Sequence, residues 1–262
     1  MSIITTSSKS NLTTSKCTTN NIICYGCLTF GNTETPAPNW YLTVGNSDIG
    51  DNSEIFNTYN GDYKNVASGK YSHAEGEDTT ASSNYSHAEG YGTTASGECS
   101  HAEGYGTTAS GHSSHAEGYI TTASGIYSHA EGHSTIASGH SSHAEGYGTT
   151  ASGHSSHAEG YCTIASGDYT HAQNYYTIAD YNSMTAIGNY NISNTDEVVN
   201  KKKNKLFVVG NGTELKRQDA FIITDNGDVF VSGNVFVKGN VKKSIGNNNW
   251  VSNDYNWTSF DS

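Results

Sequence analysis

The chain has little of the material that builds a large globular core. Only 34% of its 262 residues are hydrophobic, and no apolar run is long enough to span a membrane. Residues 1–20 are rich in Ser, Thr and Asn and contain no apolar segment behind a basic start. We therefore expect no signal peptide and no membrane insertion.

Cysteine is also scarce, and its distribution excludes a disulfide framework. The five cysteines are Cys17, Cys24, Cys27, Cys99 and Cys162. Their odd number and scattered spacing do not suit a fold held together by disulfide bonds. Cys24-Tyr25-Gly26-Cys27 is a CxxC pair, but no second pair or nearby histidine completes a zinc or redox site. We interpret the pair as small residues near a strand.

Positive charge is nearly absent from the middle of the chain. The net charge is −12, and Lys70 is the only Lys or Arg between Val66 and Tyr181. Phosphate groups would be repelled by this acidic region, so we expect no nucleic-acid partner.

What the sequence does contain is a 14-residue repeat from Ala67 to Tyr181. Each copy reads Ser-His-Ala-Glu-Gly, a short variable stretch, Thr-Thr-Ala-Ser-Gly and about two more residues. Its histidines are His73, His87, His101, His115, His129, His143, His157 and His171. Such a constant period indicates stacked structural units.

The repeat predicts an all-β fold. Two glycines per unit and the lack of an apolar heptad seam exclude a coiled coil. Two five-residue strands with corners at Gly76, Gly69 and their equivalents fit the period. We predict a parallel β-solenoid, or β-roll, of 14-residue coils stacked about 4.8 Å apart. Strand alternation directs Ser72 and Ala74 inward and His73 and Glu75 outward.

A core of Ala, Ser and Thr predicts association. Alanine methyl groups bury little apolar area compared with the entropy lost in ordering each residue, so a lone rod should be marginally stable. A homotrimer is the simplest closed assembly that buries a second face.

The repeat resembles a known family. Ser-x-Ala-x-Gly followed by x-Thr-x-Ala-Ser-Gly is similar to the head repeat of trimeric autotransporter adhesins of the YadA type. The His-Ala-Glu-Gly version resembles repeats of phage tail-fibre and related virion proteins, and Thr185-Ala186-Ile187-Gly188 continues the frame. The resemblance implies a left-handed parallel β-roll joined as a homotrimer. Here His and Glu replace the apolar pair that faces the partner chains in those adhesins.

The outward glutamates need neutralisation. They are Glu75, Glu89, Glu103, Glu117, Glu131, Glu145 and Glu159. At about 4.8 Å and an effective dielectric near 20, neighbouring carboxylates repel by about 3 kcal/mol. We hypothesise a ladder of His–Glu hydrogen bonds, within a coil or across the trimer, that holds three chains in register. The alternative is a solvated face.

The same side chains are also potential metal ligands. Imidazole and carboxylate bind zinc and other transition ions. A repeat, however, places ligands in every layer whether or not they converge on an ion. We therefore expect no metal, and we expect no cofactor.

Two further stripes run along the predicted rod. A tyrosine stripe, with His133 in its gap, could contact sugars or partner proteins, or its rings could pack on one another. It comprises Tyr91, Tyr105, Tyr119, Tyr147 and Tyr161. A threonine ladder resembles the surfaces of ice-binding solenoids. It comprises Thr80, Thr94, Thr108, Thr122 and Thr150, interrupted by Ile136, Ile164 and Ile178.

The chain divides into six segments. They are a flexible N-terminal segment (1–20), an irregular β cap (21–66), the β-roll array (67–188), a polar basic linker (189–205), a small β-meander (206–241) and a tail (242–262). Asn226-Gly227 predicts a tight hairpin turn within the meander.

We expect a structural and attachment protein rather than an enzyme. Ser72 and His73 point to opposite faces of a strand and cannot pair as nucleophile and base. The expected function is a trimeric fibre or spike of a virus particle with a host-adhesion role. The partners would be the chain itself, other virion proteins and a host-surface glycan or protein.

The expected location is the virion surface or an appendage, after assembly in the host cytoplasm. A phage and a eukaryotic large DNA virus both remain open as the source, as does removal of a C-terminal processing domain. The alternative function is a β-solenoid that binds glycan or ice through its Tyr and Thr ladders.

Overall fold

The computed structural model describes residues 65–194 and 204–236 in full. It also describes the backbone of five outlying strands at 26–30, 40–44, 54–57, 241–244 and 250–253. The predictions for residues 1–20, for linker residues 195–203 and for the side chains of the cap and tail lie outside the described residues. No helix in the described part of the chain is long and apolar enough to cross a bilayer.

The strands follow the repeat. Those that precede the first full coil are β1 (Gly26–Phe30), β2 (Trp40–Val44) and β3 (Glu54–Asn57). Those of the array are β4 (Val66–Ala67), β5 (His73–Glu77), β6 (Thr80–Ala81), β7 (His87–Tyr91), β8 (Thr94–Ala95), β9 (His101–Tyr105), β10 (Thr108–Ala109), β11 (His115–Tyr119), β12 (Thr122–Ala123), β13 (His129–Ala130), β14 (Ile136–Ala137), β15 (His143–Tyr147), β16 (Thr150–Ala151), β17 (His157–Tyr161), β18 (Ile164–Ala165), β19 (His171–Tyr175), β20 (Ile178–Ala179) and β21 (Thr185–Asn189). Those that follow are β22 (Lys205–Asn211), β23 (Asp219–Thr224), β24 (Val229–Val231), β25 (Val241–Ser244) and β26 (Trp250–Asn253).

The array is a parallel β-solenoid of about nine coils, as the repeat predicts. Each coil contributes one long strand to a first sheet and one short strand to a second sheet, and both sheets pair in parallel. The register is constant, so that His115 pairs with His101 and Ala116 with Ala102. The prediction of two five-residue strands per coil is wrong for the second strand. It is only two residues long because the following Ser-Gly and its two neighbours form the turn.

Alanine, serine and threonine fill the interior. Every alanine of the array from Ala67 to Ala186 is fully buried. The inward serine of each coil is satisfied locally, as Ser100 Oγ donates to the carbonyl oxygen of Gly97 at 2.6 Å. The core therefore leaves no room for larger side chains, as the short period requires.

Glycine is required where coils approach each other. Gly104 has a φ of 107°, and a Cβ there would lie 2.2 Å from the carbonyl oxygen of Gly118 in the next coil. Gly111 is similarly confined, since its Cβ would lie 1.9 Å from the carbonyl oxygen of Gly125. The Gly69 column lies in the turns as predicted. The Gly76 column, which was predicted to form the other corner, lies inside the long strand instead.

The actual corner after each long strand uses a left-handed residue of mixed identity. Gly106 occupies it with a φ of 62°, and the equivalent residues Ile120 and Cys162 have φ values of 54° and 50°. The corner therefore imposes a conformation that suits glycine even in coils where the sequence has another residue.

Beyond the last coil the first sheet continues. β22 pairs in parallel with β21, and β23 and β24 add in antiparallel order. Lys205 was predicted to end a polar linker, but it is buried because its Nζ donates to Asp219 Oδ2 and to the carbonyl oxygen of Ile192, both at 2.8 Å. Gly227 lies in the turn between β23 and β24 with a φ of 82°.

Candidate functional site

One surface of the rod carries the outward histidines and glutamates of the long strands. We call it the His–Glu face and define it by the eight histidines from His73 to His171 and the seven glutamates from Glu75 to Glu159 given above. The strands place these side chains opposite the buried Ser and Ala, so both columns are half-buried and in register. Side-chain exposure is 35% for His101 and 33% for Glu103.

The imidazole rings form a continuous stack. From His87 to His171 successive ring centroids lie 4.6 to 4.9 Å apart, and the rings are parallel to within 12°. Only the first pair differs, since the rings of His73 and His87 meet at 88°. The stacking follows directly from the in-register parallel strands.

The closest His–Glu contacts mostly join neighbouring coils of the same chain. Glu145 Oε1 lies 3.2 Å from His157 Nε2, and Glu159 Oε1 lies 3.2 Å from His171 Nε2. A close contact within one coil occurs at His73 and Glu75, at 3.3 Å. The hypothesised ladder allowed contacts within a coil or across a trimer; the structure adds a connection between coils.

Several of these contacts are too long for a hydrogen bond. His101 Nε2 lies 3.8 Å from Glu89 Oε1, and His143 Nε2 lies 3.5 Å from Glu131 Oε1. Both nitrogens are shielded from solvent and have no hydrogen-bond partner among the described residues. The ladder within a single chain is therefore incompletely satisfied.

Four consecutive glutamates of the column are coupled through contacts between their carboxyl groups. A hydrogen bond with Glu103, together with burial and Glu75, raises the pKa of Glu89 to about 7. The same hydrogen bond lowers the pKa of Glu103, whose carboxylate accepts it. Burial, then hydrogen bonds with Glu103 and Glu131, raises the pKa of Glu117. Raised and lowered pKa values thus alternate along this part of the column, and the pKa of Glu131 is again lowered.

Two imidazoles of the stack are less basic than an ordinary histidine. Burial lowers the pKa of His87, and the adjacent His73 lowers it further. Burial and the flanking His87 and His115 likewise lower the pKa of His101. Burial and a further positive charge in the stack both disfavour the protonated form of these two rings.

The tyrosine stripe is a second continuous stack. From Tyr91 to Tyr161, through His133, the ring centroids lie 4.5 to 4.9 Å apart, and Tyr175 extends the column at 5.2 Å. The rings therefore cover each other's faces. Ring edges and hydroxyl groups remain for contacts with a ligand, whereas stacking of a sugar on a ring face requires an uncovered face.

The threonine ladder lies on the second sheet. Thr94 and Thr108 are half-buried on its outer side, in register with each other, and the preceding Thr93 and Thr107 are fully buried. Ile136 and Ile164 interrupt the ladder as exposed side chains. The outer surface of this sheet is thus a mixed hydroxyl and aliphatic column.

The described cysteines do not form a cluster. Cys99 is exposed and Cys162 is half-buried, both are free thiols, and each occupies a left-handed turn position. The CxxC pair at Cys24 and Cys27 lies outside the residues whose side chains are described.

Sequence reasoning missed an aromatic and cationic cluster at the end of the rod. The rings of Tyr176 and Tyr190 stack at 4.7 Å, and the guanidinium carbon of Arg217 lies 5.6 Å from the Tyr190 ring centroid. Arg217 also donates to the carbonyl oxygens of Tyr176 and Asn191. The 14-residue spacing of the two tyrosines was the available signal.

No family model matches the chain, and no curated protein matches it significantly. Its function is therefore inferred from its surfaces.

Proposed function

We propose that the chain forms the shaft of a homotrimeric fibre or spike, with the left-handed β-roll of the adhesin heads, and acts as a structural and attachment protein of a virus particle. Nine coils at about 4.8 Å each give a rod of roughly 40 Å. Such a rod suits a spacer that holds contact surfaces away from a particle.

The observation that carries the proposal is the His–Glu face itself. It repeats the same half-buried histidine and glutamate in seven successive coils, from His73 to Glu159. In a parallel trimer the same coil of each chain lies at the same height around the three-fold axis, so a periodic face meets its copies layer by layer. Burial of this face would add to the small stabilisation that the alanine core provides.

The sequence features support the placement on a virion. The His-Ala-Glu-Gly repeat resembles those of phage tail fibres and related virion proteins. Its partners would be two further copies of the chain, other virion proteins and a host-surface glycan or protein. In this function the repeats serve architecture, and no catalytic step is needed.

The solution mass of the full chain tests the proposal. Size-exclusion chromatography with light scattering at pH 7.5 should give three times the chain mass. Replacing His101, His115 and His129 with alanine should weaken or abolish the trimer, because it removes the imidazole rings from three consecutive coils of the His–Glu face. A wild-type chain that remains a stable monomer at micromolar concentration would contradict the fibre.

The measurement should be repeated at pH 5. A chain that is trimeric at pH 7.5 and dissociates at pH 5 would identify the histidines as the groups that hold the interface, because protonated imidazoles stacked at 4.6 to 4.9 Å repel one another. A trimer at both values supports the fibre and assigns its stability to the remaining contacts.

The alternative function, a ligand-binding solenoid, is favoured by the in-register threonine column on the second sheet. It predicts inhibition of ice recrystallisation or binding on a glycan array by the monomer. Absence of both activities would remove it.

A further inference from the structure

Four clusters of potential metal ligands recur along the His–Glu face. In each cluster three ligand atoms lie within 4.8 Å of one another. The clusters are Glu89, His101 and Glu103; His115, Glu117 and His129; Glu131, His143 and Glu145; and Glu145, His157 and Glu159. Each is contained in one chain, so the clusters do not depend on the oligomeric state.

The spacing between the imidazole nitrogen and the carboxylate of the preceding coil suits a shared ion. Two ligands about 2.0 to 2.1 Å from a tetrahedral zinc ion are separated by about 3.3 Å. The Nε2 to Oε1 distance is 3.4 Å for His129 and Glu117, and 3.2 Å for His157 and Glu145. The third residue of each cluster has a ligand atom within 4.8 Å of the other two.

One histidine in each of three clusters has a ring nitrogen that lacks a hydrogen-bond partner among the described residues. The Nε2 atoms of His101, His129 and His143 are shielded from solvent and have no hydrogen-bond partner among the described residues. A buried polar atom left without a partner costs about 1 to 3 kcal/mol. Coordination of an ion by these nitrogens would remove that cost.

The local charge also favours a cation. Lys70 is the only Lys or Arg from residue 65 to residue 194, whereas the glutamates of the face form an unbroken column from Glu75 to Glu159. A divalent ion between adjacent coils would offset the repulsion between their carboxylates.

We propose that the His–Glu face binds divalent transition-metal ions of the zinc type, each held by the imidazole of one coil and the carboxylate of the coil before it, with the third residue of the cluster completing the protein ligands. Imidazole together with carboxylate suits Zn²⁺, Co²⁺ and Ni²⁺, while Ca²⁺ and Mg²⁺ prefer oxygen ligands alone. The clusters allow three or four ions per chain, since two of them share Glu145.

The first test is zinc titration of the metal-free full chain by calorimetry, with metal content measured after gel filtration. We expect three or four Zn²⁺ per chain and a rise in melting temperature with free Zn²⁺. Co²⁺ should give visible absorption bands of a nitrogen- and oxygen-ligated site. Equal affinity for Ca²⁺ would overturn the assignment, because it would show carboxylates acting without the imidazoles.

Two sets of substitutions locate the ions. His101→Asn, His129→Asn, His143→Asn and His157→Asn together remove one imidazole from every cluster and should abolish zinc binding. A control variant carries His112→Asn, His140→Asn and His154→Asn. These exposed histidines lie in the turns that follow the short strands, outside the His–Glu face. This variant should bind zinc like the wild type. Loss of binding in the control variant alone would assign the zinc to exposed surface histidines and overturn the proposal.

A single substitution provides a check that does not depend on a fourfold variant folding. Glu145→Gln removes a ligand from two clusters while preserving shape, so the zinc stoichiometry should fall from three or four ions per chain to two. An unchanged stoichiometry would contradict the proposal. Light scattering on the same samples keeps the two proposals separate, since a zinc-binding monomer would contradict the fibre alone and a zinc-free trimer would contradict the metal site alone.

Discussion

Asn191 pairs through its side chain with both backbone groups of Ile178. The amide nitrogen of Ile178 donates to Asn191 Oδ1 at 2.7 Å, and Asn191 Nδ2 donates to the carbonyl oxygen of Ile178 at 2.9 Å. Asn191 lies 14 residues after Thr177, in the column of buried threonines. Its carboxamide therefore replaces the next strand and closes the open edge of the second sheet.

Asn65 occupies the corresponding position at the other end of the threonine column, where it bonds to two different residues. It lies 14 residues before Thr79, accepts a hydrogen bond from the Thr79 amide at 3.0 Å and donates to the carbonyl oxygen of Gly76 at 2.9 Å. Both asparagines are buried, with 3% and 0% exposure for Asn65 and Asn191. The threonine column thus ends in an asparagine on each side.

We predict that Asn191→Ala lowers the free energy of unfolding by about 1 to 3 kcal/mol, because it leaves the buried backbone groups of Ile178 without partners. Chemical denaturation measures the effect. Asn182→Ala is the control, since Asn182 is exposed and its side chain accepts a hydrogen bond from Asp168. An equal loss in both variants would show that Asn191 does not act as an edge cap.

The buried threonine column supplies a matched pair of substitutions. Thr121 Oγ1 donates to the carbonyl oxygen of Glu117 at 3.1 Å, while Thr107 Oγ1 has no hydrogen-bond partner among the described residues. Thr121→Val should therefore destabilise the chain by about 1 kcal/mol, and Thr107→Val should be neutral or stabilising. Denaturation midpoints distinguish them, and a larger loss at Thr107 would contradict this assignment.

The corner after each long strand yields a stabilising substitution. Ile120 has a φ of 54°, whereas Gly92, Gly106 and Gly148 occupy the equivalent corner with φ values of 62° to 63°. A β-branched residue is strained in this region by about 1 to 2 kcal/mol. Ile120→Gly should raise the melting temperature, and Gly106→Ile should lower it. Changes of the same sign in the two variants would show that backbone conformation does not decide the effect.

The proton on Glu89 predicts a pH dependence. Its pKa of about 7 in the folded chain exceeds the value of 4.5 for an ordinary glutamate, so the folded state holds the proton more tightly. The stabilisation from this carboxyl is complete below pH 4.5 and is lost as the pH rises through 7. The lowered pKa values of His87 and His101 act in the opposite sense below pH 6.5.

Glu89→Gln isolates the contribution of this carboxyl, because a carboxamide can donate to Glu103 at every pH. In metal-free buffer the melting temperature of the variant relative to the wild type should rise between pH 5 and pH 8. A carbon-detected titration of the Glu89 carboxyl gives the direct readout. A difference between variant and wild type that does not change with pH would contradict the shared proton.

The 14-residue period predicted the coil and the inward and outward faces of its strands. Both follow from the spacing of residues along the chain alone. Ala102 lies inside and His101 outside because strand residues alternate, and a constant 14-residue spacing permits only one register. Longer-range features were not accessible in this way. The contact of Glu145 with His157 depends on how far neighbouring coils are offset, and the burial of Lys205 depends on Asp219 in another strand.

The corners show a different limit. Glycine appears in both columns of the repeat, but the pattern does not reveal which column turns the chain and which allows coils to approach closely. Gly104 serves close approach inside a strand, whereas Ile120 adopts a left-handed corner without being glycine. Sequence identity alone therefore assigned the corner to the wrong residue.

The unvarying pairing of each coil with its neighbours also has a consequence for inheritance. Histidine meets histidine and alanine meets alanine at every step from His73 to His171. A recombination event that removes or duplicates one whole repeat in this region therefore rejoins the same surfaces. The coding sequence can therefore lengthen or shorten in units of one repeat while the product still folds. Natural variants of this chain should differ in length by whole multiples of 14 residues, and insertions of other sizes should be confined to the segments outside the array.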